Sequence, residues 1–334
     1  MEDRNLGRSE LTVQPIIFGA WAAGGWFWGG TDDGQAIAAI QASIDAGITA
    51  IDTAPMYGRG HSERVVGQAI RGRRDEVTVM TKCGLRWDDD RGSHFFDSTS
   101  PTGESFKVHR NLRAHSIRTE VEQSLTRMDL ETIDLLQCHW PDPTTPVEET
   151  MDTLATLHRE GKIRAVGVSN FSESLLERSR RALGDVPLAS TQPHYSLVNR
   201  RIERDILPWC RRNEVGVIAY SPMERGLLTG KIDMDRHFPE SDGRSNDPLF
   251  SMENRRKVLG ALEKAREMAD THSCTLAQLS CAWVTHQPGV TAAIVGARNP
   301  QQAIENAKAG EIQLSATECY MLGDLFGELD LQHR

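Results

Sequence analysis

The chain of 334 residues has no C-x-x-C pair, no excess of basic residues, no apolar leader and no long uninterrupted hydrophobic stretch. Each lack removes a class of function. Lys and Arg number 38 against 47 Asp and Glu, a formal net charge of −9, so no general basic face is expected for nucleic acid or anionic lipid. Six cysteines (83, 138, 210, 274, 281 and 319) do not make a disulfide framework in a chain this long. Residues 1–5 carry both charge signs and no apolar segment, so a secretory signal is not expected. The most apolar stretch, 15–30, is glycine-rich and short of the about 20 residues a bilayer requires. The eleven histidines include no H-E-x-x-H and no Cys/His set with zinc spacing. Two glycine clusters fall short of phosphate loops. Gly58-Arg59-Gly60 has Glu63 where a dinucleotide fingerprint needs its third glycine, and 226–231 is too closely spaced for a P-loop. These exclusions leave a soluble, reduced, cytoplasmic globular protein as the expectation.

What is present is alternation. Short apolar runs rich in β-branched residues occur at 16–18, 50–52, 77–81, 133–138, 165–169, 189–192, 216–220 and 291–295. Apolar on both faces, they read as buried parallel strands. Helical spacing lies between them: Ile117, Val121, Leu125 and Met128 share one face, as do Val147, Met151, Leu154 and Leu157. Ser62, Glu148 and Ser172 stand near helix starts, and Gly47 and Gly161 near helix ends. Length alone would allow two domains, but eight strands with intervening helices fit a single (β/α)₈ TIM barrel spanning 1–334. An open doubly wound sheet is the rival and lacks its glycine signature. Two stretches, 83 to about 111 and 221 to about 251, read as long irregular loops at the carboxyl ends of strands, where barrel active sites form. Leu6, Leu11 and Val13 around Gly7-Arg8 read as an N-terminal β-hairpin plugging the opposite end.

On this reading Asp52, Lys82 and His139 terminate adjacent strands and Tyr57 follows on the second loop. Singly, each has a plain structural explanation as cap, solvated cation, satisfied histidine or packed ring. Together they suit one task, delivering a proton to a carbonyl oxygen. A free phenol, with pKa near 10, is a poor acid at neutral pH. A cation about 4 Å away is worth up to about 4 kcal/mol at an effective dielectric of about 20. Lys82 can supply that cation, expected to make Tyr57 unusually acidic. Asp52 can hold the ammonium charged, and His139 can donate to the same oxygen.

Three segments in order then resemble signatures of the aldo-keto reductase superfamily: 51–58 (IDTAPMYG) with 80–82, 137–142 (QCHWPD), and 161–171 (GKIRAVGVSNF). Residues 28–32 (WGGTD) and 139–143 (HWPDP) further resemble its bacterial general-stress branch. The resemblance covers nearly the whole chain. It implies a barrel that binds NADP(H) across the carboxyl rim, with Asp52, Tyr57, Lys82 and His139 as the catalytic tetrad. It also places Ser169, Asn170 and Gln192 at the nicotinamide carboxamide and Tyr220 beneath the ring, with Trp21 and Asp52 at the same end. Ser221, Pro222, Met223, Gly226 and Leu228 correspond to the loop over the pyrophosphate. Arg225, Lys231 and Arg244 are nearby cations that can offset phosphate charge. Gly296, Ala297, Arg298 and Gln302 correspond to the glycine-opened turn, with Arg298 at the adenosine 2′-phosphate. Glu305 and Asn306 match adenine contacts. Trp21, Tyr57, Trp87, His139 and Trp140 are the expected substrate pocket, with Trp26, Phe27 and Trp28 as further aromatics.

The expected activity is NADPH-dependent reduction of small aldehydes or ketones, with no nucleic acid, membrane or metal involved. A sugar or polyol dehydrogenase on the same residues, and a redox-sensing NADP-binding subunit with little turnover, stay open. A Lys82 Schiff-base aldolase would leave Ser169, Asn170 and Arg298 unexplained. The Asn170-Phe171-Ser172 sequon has no secretory context. Oligomeric state is not legible.

Overall fold

The chain opens with an antiparallel ribbon, β1 (Arg4–Asn5) paired to β2 (Thr12–Val13). It makes a tight turn: Gly7 sits at φ +60°, and a Cβ there would meet the Ala189 carbonyl oxygen at 2.5 Å. The computed structural model describes residues 1–25, 30, 32–100, 103–239 and 242–333. The expected aromatics Trp26, Phe27 and Trp28 lie outside the described residues, as do Gly29 and Thr31 of the WGGTD segment.

The barrel begins with β3 (Ile16–Gly19), β4 (Ala50–Asp52) and β5 (Thr78–Cys83). An excursion follows, with β6 (Leu85–Arg86), β7 (Ser93–Thr99) and β8 (Ser105–Arg110). The barrel resumes with β9 (Ile133–Cys138), β10 (Ile163–Ser169), β11 (Leu188–Gln192), β12 (Gly216–Ala219) and β13 (Ala292–Gly296). The eight barrel strands are parallel, and β13 closes onto β3. The expected (β/α)₈ barrel is the observed fold, with every barrel strand within a few residues of its sequence-based place. Helices α1 (Asp33–Asp45), α2 (His61–Ala69), α3 (Ala114–Met128), α4 (Val147–Arg159), α5 (Glu173–Ala182) and α6 (Ile206–Asn213) alternate with the strands. Helices α7 (Met252–Thr271) and α8 (Leu276–Thr285) precede β13, and α9 (Pro300–Lys308) and α10 (Ala316–Gly327) follow it. The predicted apolar faces of α3 and α4 are buried, from Ile117 to Met128 and from Val147 to Leu157. Ser172 caps α5 by accepting from the Leu175 N–H. Ser62, by contrast, lies in the first turn of α2 and turns its hydroxyl to the Ala20 carbonyl at 2.7 Å.

Alternation along each strand fills the bore in layers. The floor is apolar: Ile17, Ala50, Met80, Leu135, Ala165, Ala189, Ile218 and Ala292 form one cluster with Leu6, Leu11 and Val13 of the ribbon, which therefore plugs that end as expected. Two residues further along the strands the side chains turn polar. Ala50 gives way to Asp52, Met80 to Lys82, and Leu135 to Gln137. The Met1 side chain lies beside the turns that follow α1 and α9. At the other end of the chain, Asn254 of α7 donates to both the Pro248 and the Gln332 carbonyls, and Lys257 donates to Asp330 O, tying the tail to the end of the long 221–251 loop.

The stretch 83–111 departs from the expectation of an irregular loop. It is a three-stranded antiparallel sheet in the order β6-β8-β7. Aromatic residues account for its regularity. Phe95, Phe96 and Phe106 pack with Trp87, Trp140, Met56, Leu85 and Val108, giving these strands an apolar face of their own. The 221–251 stretch has short 3₁₀ turns at Glu224–Thr229 and Pro248–Phe250 and is otherwise irregular. Among the described residues no helix is long and apolar enough to cross a membrane.

Candidate active site

Strand ends bring Asp52, Lys82 and His139 to the mouth, and the β4–α2 loop carries Tyr57 to them. The Lys82 ammonium donates to Asp52 Oδ1 at 2.5 Å, to the Thr53 carbonyl at 2.9 Å and to the Tyr57 hydroxyl at 3.3 Å. All three ammonium protons therefore have acceptors. The His139 ring stands edge-on to the Tyr57 ring, with centroids 5.8 Å apart. The four residues predicted to act together do meet.

The loop holding Tyr57 is fixed by close backbone approach. A Cβ on Gly24 would lie 2.7 Å from the Tyr57 carbonyl carbon, and one on Gly58, at φ +65°, would lie 2.3 Å from Gly24 O. Only glycine fits at either position. The Thr53 and Ser62 hydroxyls, 2.8 Å apart, pin the loop from below. The HWPDP segment has a structural duty beyond His139. The Asp142 carboxylate accepts from Thr144 N, Thr145 Oγ1 and Leu112 N, which stitches the loop after β9 to the start of α3.

Electrostatics depart from the sequence expectation at Tyr57. Burial pushes its pKa above the ordinary phenol value, and the opposing pull of Lys82 does not overcome it. The phenol is thus held protonated rather than made unusually acidic, because removing it from water costs its anion more than one ammonium returns. Burial also works against the Lys82 charge, but Asp52 and Tyr57 more than offset it, so the Lys82 pKa is raised. Burial and then Lys82 drive the His139 pKa well below 6.5, leaving a neutral imidazole at pH 7.

A polar groove continues from this point across the strand ends. Ser169 Oγ donates to Gln192 O at 2.8 Å; Asn170 Nδ2 donates to His139 O and Ser169 Oγ; and Tyr220 OH donates to Asn170 Oδ1 at 3.0 Å. Asn170 takes the left-handed conformation, at φ +62°, which asparagine tolerates better than most residues. Gln192 Nε2 donates to Asp52 Oδ2 at 2.8 Å. Tyr220 stacks on His194, with centroids 5.0 Å apart and planes at 12°. Beyond it Ser221, Arg225 and Gly226 are also left-handed, with Pro222 buried and Met223 half-buried. The Leu228 side chain is fully buried in the core. The loop cations are less free than expected. Arg225 pairs with Asp247 and Arg244 with Asp242, while Lys231 is exposed.

At the far end, Arg298 is exposed at the start of α9 and donates to Gly30 O. No carboxylate among the described residues lies within ion-pair distance of it. Its N–H donates to Gln302 Oε1, and Asn306 Nδ2 donates to the carbonyl of the exposed Gly296, next to buried Ala297. Glu305 accepts from Gln301 on the exposed side of α9. A polar groove at the mouth, a left-handed loop and a helix N-terminus beside a guanidinium with no carboxylate partner among the described residues fit the successive parts of a nicotinamide dinucleotide. The Trp21 ring lies 6.1 Å from that of Tyr57, while Trp87 and Trp140 pack with the three phenylalanines in a cluster that includes Met56, next to Tyr57 in sequence.

Sequence reasoning left Gln137 without a role. Its position two residues before His139, flanked by the apolar Leu136 and Cys138, was the available sign. Gly24 was likewise passed over, having no signature of its own.

The Aldo/keto reductase family matches residues 15–324, and the chain belongs to that family of nicotinamide-using oxidoreductases. It is 38% identical over 305 residues to Aldo-keto reductase YhdN of Bacillus subtilis, covering 90% of this chain and 86% of that one. It is 37% identical over 331 residues to the NADH-specific methylglyoxal reductase of Escherichia coli, covering 97% and 98%. The structure of glycerol dehydrogenase AKR11B4 from Gluconobacter oxydans superimposes with a TM-score of 0.85 at 40% identity, covering 97% of this chain and 94% of that one.

Proposed function

We propose that residues 1–334 work as one barrel domain, in the cytoplasm, reducing small aldehydes and ketones with NADPH. The observation that carries this reading is the Lys82 ammonium touching both Asp52 and the Tyr57 hydroxyl at the barrel mouth. Bound nicotinamide supplies a hydride to the carbonyl carbon. Tyr57 donates its proton to the carbonyl oxygen as that oxygen becomes an alkoxide. Lys82 steadies the phenolate left behind, and Asp52 keeps the ammonium charged. Neutral His139 donates a hydrogen bond to the same oxygen, orienting the substrate. Ser169, Asn170 and Gln192 would hold the carboxamide, and Tyr220 would offer a face to the ring. Ser221, Pro222, Met223, Gly226 and the Leu228 backbone cover the pyrophosphate. Lys231 is the remaining cation of the three, since Arg225 and Arg244 are committed to carboxylates.

Arg298 supports NADPH over NADH, because an exposed guanidinium at a helix start suits a 2′-phosphate. The similarity to an NADH-specific reductase makes this the part to test first. Titrating the protein with each dinucleotide should give tighter binding and a higher kcat/KM for NADPH on reactive aldehydes; equal or better use of NADH would overturn the preference. The likeness to a glycerol dehydrogenase favours a second reading, in which the same residues run backwards to oxidise a polyol. Then Tyr57, as a phenolate steadied by the Lys82 ammonium, would accept the alcohol proton. Comparing the two directions with glycerol and a small aldehyde separates the readings.

A further inference from the structure

Gln137 is completely buried in β9, between apolar neighbours, where a leucine would be expected on packing grounds. Both the nitrogen and the oxygen of its amide are engaged. Nε2 donates to Asp52 Oδ2 at 3.1 Å, and Oε1 accepts from Gln192 Nε2 at 3.1 Å. Gln192 Nε2 donates to the same Asp52 Oδ2 at 2.8 Å. The carboxylate and the two amides thus close a triangle, while Asp52 Oδ1 remains for Lys82. The backbone makes room for it. A Cβ on Gly167 would lie 3.0 Å from Gln137 Cγ and 2.6 Å from Ser190 Oγ.

We propose that Gln137 is a positioning residue, which with Asp52 locks the side-chain amide of Gln192 in the single orientation that presents Gln192 Oε1 to the coenzyme. Both Gln192 amide protons are spent inside the triangle. Flipping that amide would set its oxygen against Asp52 Oδ2 and Gln137 Oε1, three acceptors with no proton between them. What Gln192 offers outward is therefore an acceptor only, suited to the N–H₂ of a carboxamide rather than to its carbonyl. Without Gln137 the Gln192 amide keeps only its bond to Asp52 Oδ2 and can turn about it, so ordering it falls to the ligand. This rests on the reading of Gln192 as a carboxamide contact.

The test is equilibrium binding of NADPH, read by quenching of tryptophan fluorescence in the absence of a carbonyl substrate. Gln137→Met keeps the volume and removes the bonds. It should weaken binding roughly tenfold, the scale of a lost buried hydrogen bond, with a smaller loss in kcat at saturating coenzyme. In a Gln192→Met background the Gln137→Met effect should vanish, because the residue it acts through is gone. Undiminished loss in that background, or Gln137→Met binding within twofold of wild type, overturns the proposal while leaving the site reading intact. Wild type binding neither NADPH nor NADH overturns both. Gln137→Glu guards against a folding defect. Its neighbours at that position are Asp52, with Lys82 behind it, and the uncharged Gln192, Ser190, Gly167 and Leu135. Protonated, the glutamic acid can donate to Asp52 and accept from Gln192; ionised, it can only accept and repels Asp52. NADPH affinity in that variant should fall as pH rises, against a flatter wild-type profile. Parallel profiles would overturn the proposal.

Discussion

At Tyr57 two opposed forces meet on one oxygen. Burial raises the phenol's pKa, and Lys82, 3.3 Å away, pulls it back without winning. An acid of this kind is present in its working form throughout the neutral range. Its loss from the rate requires pH to climb beyond the ordinary phenol value near 10. His139, held well below 6.5, has already shed its proton at pH 7. The rate of carbonyl reduction, kcat/KM, should therefore be level from about pH 7 to about pH 9. A stopped-time assay in constant-ionic-strength buffers checks this, and a midpoint near neutrality would contradict it. Removing only the phenol oxygen should be severe. Tyr57→Phe is expected to lower kcat by roughly a hundred- to ten-thousand-fold, with dinucleotide affinity changed by less than about twofold. Single-turnover rates alongside fluorescence titration separate the two quantities.

At the scale of elements, strand places were legible because a buried parallel strand is apolar on both faces and short, as in 216–219. The excursion β6–β8 was not. Its apolar face, Phe95, Phe96 and Phe106, packs on Trp87 and Trp140 rather than on the barrel core. No barrel-like periodicity marks such a satellite sheet. The tetrad was legible through strand ends and signatures. Gln137 was not, since its bonds run to residues 85 and 55 positions distant. A contact between elements also supplies a stability prediction. Glu120 of α3 is buried, accepts from Gly84 N at 2.8 Å just beyond β5, and leaves Oε2 without a hydrogen-bonding partner among the described residues. Burial, only partly countered by Arg86, lifts its pKa to about 8. The folded-state value exceeds the unfolded one, so this residue's contribution is complete below about pH 4.5 and drains away as pH rises through about 8. Glu120→Gln should lack that drain. Its melting temperature relative to wild type should be higher at pH 8 than at pH 5, by an amount equivalent to at most a few kcal/mol. A constant difference across the range would refute the assignment.

For the molecule as a whole, the floor and the mouth divide the labour. The floor is closed by Leu6, Leu11 and Val13 against eight inward apolar side chains, a layer below Asp52, Lys82 and Gln137. Leu11→Ala should cost about 2–5 kcal/mol of stability through the cavity it leaves. KM for carbonyl and coenzyme should stay within about twofold, which denaturant melts and steady-state kinetics on the same sample will show. The two chain ends fall on opposite sides of this division. Met1 lies beside the floor-side turns, and the tail around residues 330–332 is tied to the loop that borders the mouth. They are therefore unequal handles. A solid support reached through the Met1 side leaves the opening turned toward bulk liquid, whereas anchoring through residues 330–332 pulls on the loop beside the doorway.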